Sequence, residues 1–300
     1  MVDPGPLVTV FGDALLDVRV VPIGPMRPAA DVPASIDLAP GGQGSNIAVR
    51  LARRGVRTRL VCRLGRDGSG GLLRDALGRD RLEVLDLGTA RTGSVVVLLD
   101  AEGERSMLSE RVPLLEAGVP PSLMVETEWL VVSGYVLLEP SAGLSASGDA
   151  PRRVIAGCAL DPAQADAWVA SAMSLRPHLV VVNLDEARIL SASDGSSADL
   201  SRQIGARLEA IVVVTDPTGA TVDAGSALVH AAQRPTRPAV DTTGAGDAFT
   251  AAIVAELLRG PWPPAPIALR AALEAAGELA SAVTLVDGAQ GRVRGEGPTG

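Results

Sequence analysis

Short apolar runs that alternate with stretches of helical spacing, from one end to the other, constrain this chain more than any other feature. The runs are Leu7–Phe11, Arg59–Leu64, Ser94–Leu99, Trp129–Val132, Arg153–Ala156, His178–Val182 and Ile211–Val214. Several are unbroken Val, Leu and Ile without polar alternation, the pattern of parallel strands covered on both faces. Between them lie helical stretches at Asn46–Arg54, Gly70–Leu77, Ala163–Ser174, Asp185–Ser191, Asp199–Leu208, Ala248–Leu258 and Ile267–Val283. Strand and helix in strict succession predict a doubly wound α/β sheet. With 300 residues, 47% of them hydrophobic, the chain can bury one large core over its whole length, 1–300.

Two regions break the alternation. Val18–Pro40 is proline-rich with short alternating segments, and Thr92–Arg111 reads as a hairpin, Val95–Leu99 and Arg105–Leu108 around a turn at Ala101-Glu102-Gly103-Glu104. They form either a small β-sheet standing off the main domain or two excursions on its surface. Ser141–Ala150 is small and polar and reads as a loop.

Composition removes several functions. The net charge is -8 and no basic run stands out, which argues against nucleic acid. No apolar run approaches the ~20 residues of a spanning helix, and Leu7–Phe11 is reached without a charged leader or cleavage site, so no membrane partner and a cytoplasmic location are expected. Cys62 and Cys158 stand far apart in apolar surroundings and read as buried free thiols; His178 and His230 are isolated and a poor basis for a metal site. All 27 basic residues are arginine. Without lysine there is no Walker A loop, no protein-kinase strand lysine and no Schiff base, so phosphates must be met by backbone N–H groups, arginine or metal.

The chemistry concentrates in Asp241-Thr242-Thr243-Gly244-Ala245-Gly246-Asp247-Ala248-Phe249, followed by an apolar helix-like run to Leu258. Such a turn aims the N–H groups of Gly244, Ala245 and Gly246 at one point, at the positive end of a helix. Asp247 then stands in the first turn, where a carboxylate can take a proton from an attacking hydroxyl. An anion cradle beside a base is what phosphoryl transfer to an alcohol requires. A second glycine-rich string, Gly41-Gly42-Gln43-Gly44-Ser45-Asn46, leads into another helix; Asn46 is either a helix N-cap or a donor and acceptor for sugar hydroxyls. The carboxyl ends of the strands add Gly12-Asp13 and Asp17, Asn183 and Glu186, and Thr215 to one edge.

The Asp241–Phe249 string resembles the C-terminal signature of the ribokinase/PfkB family of carbohydrate kinases, and Gly41–Asn46 resembles its N-terminal one. The resemblance extends from about Val8 to Gln290. It implies a ribokinase-like three-layer α/β/α fold with a mostly parallel sheet and a β-lid built from about 18–40 and 92–111. It implies ATP-dependent phosphorylation of a primary hydroxyl of a small sugar or polyol, with Asp247 as base and Gly244, Ala245 and Gly246 as anion hole. Asp17, Gly42 and Asn46 would hold the sugar. Asn183 and Glu186 match the family's N-x-x-E element, which organises Mg2+ and phosphate through water, and Thr215 and Gly219 lie in its nucleotide loop. Asp241 and Thr243, with backbone near Gly288, match a loop that holds a monovalent cation such as K+ in many relatives. Relatives also dimerise through the lid, so a homodimer is expected. Asp67 in Gly65-Arg66-Asp67-Gly68 matches a family turn and is given no role.

Some positions depart from the family. Thr215-Asp216-Pro217-Thr218-Gly219-Ala220 lacks a glycine common before the position of Pro217; Val112-Pro113-Leu114 replaces a frequent Gly-Ala-Asn; and Gln43 stands where ribokinases and phosphosugar kinases often have lysine. Two other readings stay open at this point: a nucleoside kinase of the same family, and a non-catalytic sugar-binding regulator. Aromatic residues make up only 2% of the chain and none sits in the motifs as a base-stacking platform, which favours a sugar.

Overall fold

The computed structural model describes residues 6–99, 105–115, 126–139, 151–225, 227–233, 237–286, 288–293 and 296. The loop read at Ser141–Ala150 and the hairpin turn at 101–104 lie outside these residues. In chain order the elements begin β1 (Leu7–Phe11), β2 (Leu15–Pro22), β3 (Ala34–Gly41), α1 (Gln43–Arg53), β4 (Arg57–Cys62), α2 (Gly68–Leu77), β5 (Glu83–Asp86), β6 (Ser94–Leu99) and β7 (Arg105–Glu110). They continue β8 (Thr127–Ser133), β9 (Arg152–Ala156), α3 (Ala165–Leu175), β10 (Leu179–Asn183), α4 (Leu184–Ser191), α5 (Ser197–Leu208), β11 (Ile211–Asp216), β12 (Gly219–Asp223), β13 (Leu228–Ala232), α6 (Ala245–Leu257) and α7 (Pro266–Val283).

The main sheet has the strand order β13-β12-β11-β10-β9-β8-β1-β4-β5. All its pairings from β5 to β11 are parallel, and β12 and β13 extend it antiparallel. The strands alternate their buried side chains between two cores, as a period of two requires. Val8, Val10, Leu60, Val131, Val154, Val181 and Val213 face α1, α2, α6 and α7; Phe11, Val61, Leu130, Val132, Ile155, Val180, Val182, Val212 and Val214 face α3, α4 and α5. This is the expected three-layer α/β/α arrangement. Helix α6 is buried nearly all round, from Ala248 to Ala255, because it lies between α1 and α7; its run of small residues lets both neighbours approach.

The two regions that break the alternation form one separate sheet, in the order β3-β2-β6-β7. It starts earlier than the proline-rich pattern suggests, at Leu15, so Asp17 is carried on this second sheet rather than on a loop after β1. Its register sorts its faces. Asp17, Arg19, Val95, Val97 and Met107 share one face; Val18, Val20, Ile36, Leu38, Val96, Leu98 and Leu108 share the other. Val97 and Leu99 line the cavity under the sheet. The opposite face carries Ile36, Leu38 and Leu108, all more than half exposed. Asp67 is tied to the start of this sheet. It caps α2 through the Gly70 N–H at 2.9 Å and accepts from the Thr92 N–H at 2.9 Å and Oγ1 at 2.6 Å, bonds that hold its carboxyl down at about 2.

Three strands escaped the sequence patterns. β5 is short and charged at both ends, and β12 and β13 are short and rich in small or polar residues. The segment read as a nucleotide loop from Thr215 to Ala220 is a tight hairpin: β11 runs on to Asp216, and Gly219 already pairs with it. Asp216 accepts from the Thr218 N–H at 2.7 Å, an Asx turn that closes the reversal.

Candidate active site

The carboxyl ends of β1, β8, β9, β10 and β11 deliver Gly12-Asp13, Ser133-Gly134, Gly157, Asn183 and Thr215 to one edge of the sheet, where ligands of open α/β sheets bind. Helix α1 begins against this edge. At Gly42 the backbone turns with φ 95°, and a Cβ there would come within 2.7 Å of the Asp13 carbonyl oxygen. A Cβ on Gly44 would come within 2.5 Å of Gly12 backbone. Only glycine lets the two loops pass this closely.

The first turn of α1 then points inward. Asn46 is not the N-cap; that position belongs to Gly42, and Asn46 is 4% exposed inside the first turn. Its Nδ2 donates to Asp247 Oδ2 at 2.8 Å. Gln43 is a site residue that the sequence marks only as a replaced lysine. Its Oε1 accepts from Ser133 Oγ at 2.6 Å and the Gly134 N–H at 3.0 Å, and its Nε2 donates to the Gly157 carbonyl at 2.6 Å. Gln43 thus ties the ends of β8 and β9 to α1 and also hydrogen-bonds Asp247.

Asp247 arrives from the other side, in the first turn of α6. Gly244 is the N-cap with φ 77°, and Ala289 packs so close behind it that a Cβ would lie 2.8 Å from the alanine's own. The first N–H groups of a helix have no acceptor within it; at α6 the Ala245 N–H reaches back to the Thr242 carbonyl at 3.4 Å, and Gly246 lines the cavity at the positive end of the helix. Asp241 orders the loop before it, accepting from the Thr243 N–H at 2.8 Å and the Gly288 N–H at 3.1 Å.

Two cavities, or lobes, open among these residues. One, of about 240 Å³, runs from Asp17 and Val97 under the small sheet to Asp241, Thr243 and Gly288. The other, of about 250 Å³, lies between Gln43, Gly157, Asn183, Glu186, Thr215, Gly246 and Asp247. Asp247 lines the second lobe, and its charge is felt both by Asp17 in the first and by Glu186 in the second. A larger groove of about 670 Å³, with Arg176, Arg207 and Trp262 in its lining, opens at the amino-terminal ends of the strands and contains none of these residues. Gly219, beyond the hairpin turn, is not in the lining of the lobe that holds Thr215.

Crowded acids set the electrostatics. Burial pushes the Asp247 carboxyl up to about 6, against the bonds from Asn46 and Gln43 and the charges of Arg111 and Arg50. Burial, then the charges of Asp247 and Asp241, raise Asp17 to about 6. Burial raises Glu186 to about 7, with Asp247 adding and the Asn183 N–H opposing. Glu186 and Asn183 form a reciprocal cap on α4, the Asn183 N–H to Glu186 Oε2 at 3.0 Å and the Glu186 N–H to Asn183 Oδ1 at 2.9 Å. A carboxyl close to neutrality is suited to accept a proton near physiological pH.

No group of three His, Cys, Asp or Glu side chains among the described residues forms a metal cluster. One carboxylate and one amide, Glu186 with Asn183, line the second lobe, a donor set that fits an ion held mostly by ligand oxygens and water rather than a protein cage.

Arg111, Tyr135 and Gln290 have no motif to announce them. Arg111, just beyond β7, pairs with Asp13 and lies 3.5 Å above the Tyr135 ring centre. The rule that ligands gather at the carboxyl ends of strands would have found Ser133 to Tyr135 and Gly157, but nothing in the sequence points to Arg111. Cys62 and Cys158 are buried and free, and burial pushes both thiols up to about 12.

The model of the pfkB family carbohydrate kinases matches residues 6–294. A fructokinase of Klebsiella pneumoniae is 32% identical over 274 residues, 83% of each chain. The fold is that of a ribokinase of Thermotoga maritima, with a TM-score of 0.79 at 18% identity over 96% of this chain and 97% of that one. It is also that of a ribokinase of Cryptococcus neoformans var. grubii serotype A in complex with ADP, with a TM-score of 0.69 at 21% identity over 95% of both chains. A match over nearly the whole chain, with the glycine-rich turn and its aspartate brought against Asn46, makes this chain a member of the pfkB family of carbohydrate kinases and an ATP-dependent sugar kinase.

Proposed function

We propose that the enzyme transfers the γ-phosphoryl group of ATP to a primary hydroxyl of a small neutral sugar, fructose foremost. The placement of Asp247 supports this reading: one carboxylate, raised to about 6, lines the Glu186 lobe in the first turn of α6, and its charge is felt by Asp17 in the other lobe. Asp17, Gly42 and Asn46 orient the sugar. Asp247 takes the proton of the attacking hydroxyl as its oxygen bonds to the γ-phosphorus. The bond from that phosphorus to the β-phosphate oxygen breaks and ADP leaves. The amides of Gly244, Ala245 and Gly246 stabilise charge on the equatorial oxygens. Asn183, Glu186, Thr215 and the hairpin to Gly219 border the nucleotide. Mg2+ bound to the phosphates with Glu186 in its outer shell would neutralise their charge, and Asp241 and Thr243 would order a loop around a monovalent cation such as K+.

Two observations favour a neutral sugar over a phosphorylated one. The lining of the two lobes gathers four acids, Asp17, Asp241, Asp247 and Glu186, against one arginine, Arg19, and the nearby Arg111 is paired with Asp13. Gln43, in place of lysine, is engaged with Ser133, Gly134 and Gly157. The name of the Klebsiella pneumoniae relative supports fructose within that class. The small sheet acts as a lid that excludes water, the enzyme works as a cytoplasmic homodimer joined through the lids, and it needs neither nucleic acid nor membrane. Coupled ADP detection with fructose, ribose, adenosine and pseudouridine tests the reading. Fructose should give the highest kcat/KM; a preference for a nucleoside, or ADP release independent of any acceptor, would overturn it.

A further inference from the structure

The segment 288–291 closes behind the site and is held at three successive carbonyls. Arg50, wholly buried one turn after Asn46 on α1, donates from Nη2 to the Ala289 carbonyl at 2.7 Å and the Gly291 carbonyl at 2.8 Å. Its Nη1 reaches Glu296 Oε1 at 2.6 Å. Arg53 Nη1 donates to the Gln290 carbonyl at 2.7 Å. With its backbone fixed this way, Gln290 turns its side chain toward α1. Its Nε2 donates to Ser45 Oγ at 2.9 Å and to Asn46 Oδ1 at 3.1 Å.

The direction of these bonds is determined. Ser45 has one hydroxyl hydrogen, and it goes to the Gly41 carbonyl at 2.6 Å. The serine can therefore only accept from Gln290, so the nitrogen and not the oxygen of Gln290 must face α1. That nitrogen in turn requires the oxygen of Asn46 to face it, which leaves Asn46 Nδ2 to donate to Asp247 Oδ2 at 2.8 Å. A flipped Asn46 would set its oxygen against the Asp247 carboxylate and could pair only with the protonated acid.

We propose that Gln290 is a positioning residue for phosphoryl transfer: it fixes the side-chain amide of Asn46 so that its hydrogens face Asp247 and favour the ionised carboxylate. The proposal rests on the reading of Asp247 as general base. The other charges around Asp247 are Asp17 from β2, itself beside Asp241, Arg50 from α1, Arg111 after β7 and Glu186 from α4, and Tyr135 and Gln43 also face it. Arg50 holds the segment through main-chain carbonyls, and the Gln290 side chain bonds to Ser45 and Asn46 instead.

The test follows the 13C carboxyl resonance of Asp247 through a pH titration of the full chain, assigned by its loss in Asp247→Asn. In Gln290→Met, which keeps the length and removes the donor, the midpoint should rise by roughly one unit. The acid limb of the kcat profile should rise with it, so that activity lost at pH 6 returns at higher pH. In an Asn46→Ala background the same change should move the midpoint no further, since the effect passes through Asn46. If Gln290→Met does not fold, Gln290→Ala serves in its place, and in the wild type the Asn46 side-chain N–H resonances should titrate with the Asp247 midpoint. An unchanged midpoint, or an equal shift with and without Asn46, overturns the proposal. Because the carboxyl is read without turnover, a midpoint that moves while the kcat limb stays still points instead against Asp247 as the base.

Discussion

Asp247 is held between opposing influences: burial favours its neutral form, while Asn46, Gln43, Arg111 and Arg50 favour the charged one. A base in that balance is a proton acceptor near neutral pH, and its removal should be felt in turnover. Asp247→Asn keeps size and hydrogen bonding but cannot accept the proton; kcat should fall by roughly 10²-fold or more, with the KM for sugar little changed. Steady-state kinetics check this, and activity within a few-fold of wild type removes Asp247 from the role. On the sugar side, Asp17→Ala and Asn46→Ala should each weaken sugar binding by about 1–3 kcal/mol, since each leaves substrate hydroxyls unpaired in a closed site. Calorimetry with sugar and with ATP separately distinguishes the two halves of the cavity: loss of ATP affinity with sugar affinity retained would reverse the assignment. The residues most legible in the sequence were those in glycine-rich strings, because a tight turn leaves a mark in one short segment. Gln43, Arg111 and Gln290 were not legible as partners of the site. Each acts through a contact across tens to hundreds of positions, such as Gln290 to Asn46, 244 residues apart, and no local pattern encodes such a contact.

At the scale of elements, the strands of the parallel core were readable because burial on both faces writes unbroken apolar runs, as in Ile211–Val214. Strands β12 and β13 were missed because antiparallel pairing needs only a short turn, and Asp216-Pro217-Thr218-Gly219 looks the same in a loop as in a hairpin. The broken alternation left a small sheet as one of two readings, and the family resemblance favoured it; which face points where depends on register, which sequence does not display. That register decides how to test the proposed dimer. Val97 and Leu99 line the cavity, so charging them would damage the site rather than an interface. Ile36, Leu38 and Leu108 sit on the opposite face and are 61%, 57% and 70% exposed, an apolar patch on a sheet whose edge strands are β3 and β7. Leu108→Lys should shift the protein from dimer to monomer by light scattering at micromolar concentration. A wild type that is already monomeric, or a variant with unchanged mass, would count against dimerisation through this face.

At the scale of the whole molecule, the site works against the stability of the fold that holds it. Asp17 and Asp247 at about 6 and Glu186 at about 7 all lie above the values they take in an unfolded chain. Between those limits the folded state binds more protons than the unfolded one, so stability falls as pH rises. The contribution is fully present below about pH 4 and is lost as pH passes through 6 to 7. Asp67 works in the other direction. Lowered to about 2 by its bonds to Thr92 and Gly70, it stabilises above about pH 4, and that stabilisation disappears as pH falls toward 2. Asp17 offers the cleanest test, since burial does most to raise it and it stands under the small sheet, where the proposed sugar site needs an acceptor. Asp17→Asn keeps the shape and removes the charge. Without ligands it should be more stable than wild type at pH 8 by on the order of 1 kcal/mol, after allowing for partial solvent screening, and by about half as much at pH 5. It should also bind sugar poorly, the usual conflict between a prepared site and a relaxed fold. Urea unfolding of both proteins at the two pH values measures the gap. A gap of the same size at pH 5 and pH 8 would mean that packing, not the buried charge, separates the two proteins.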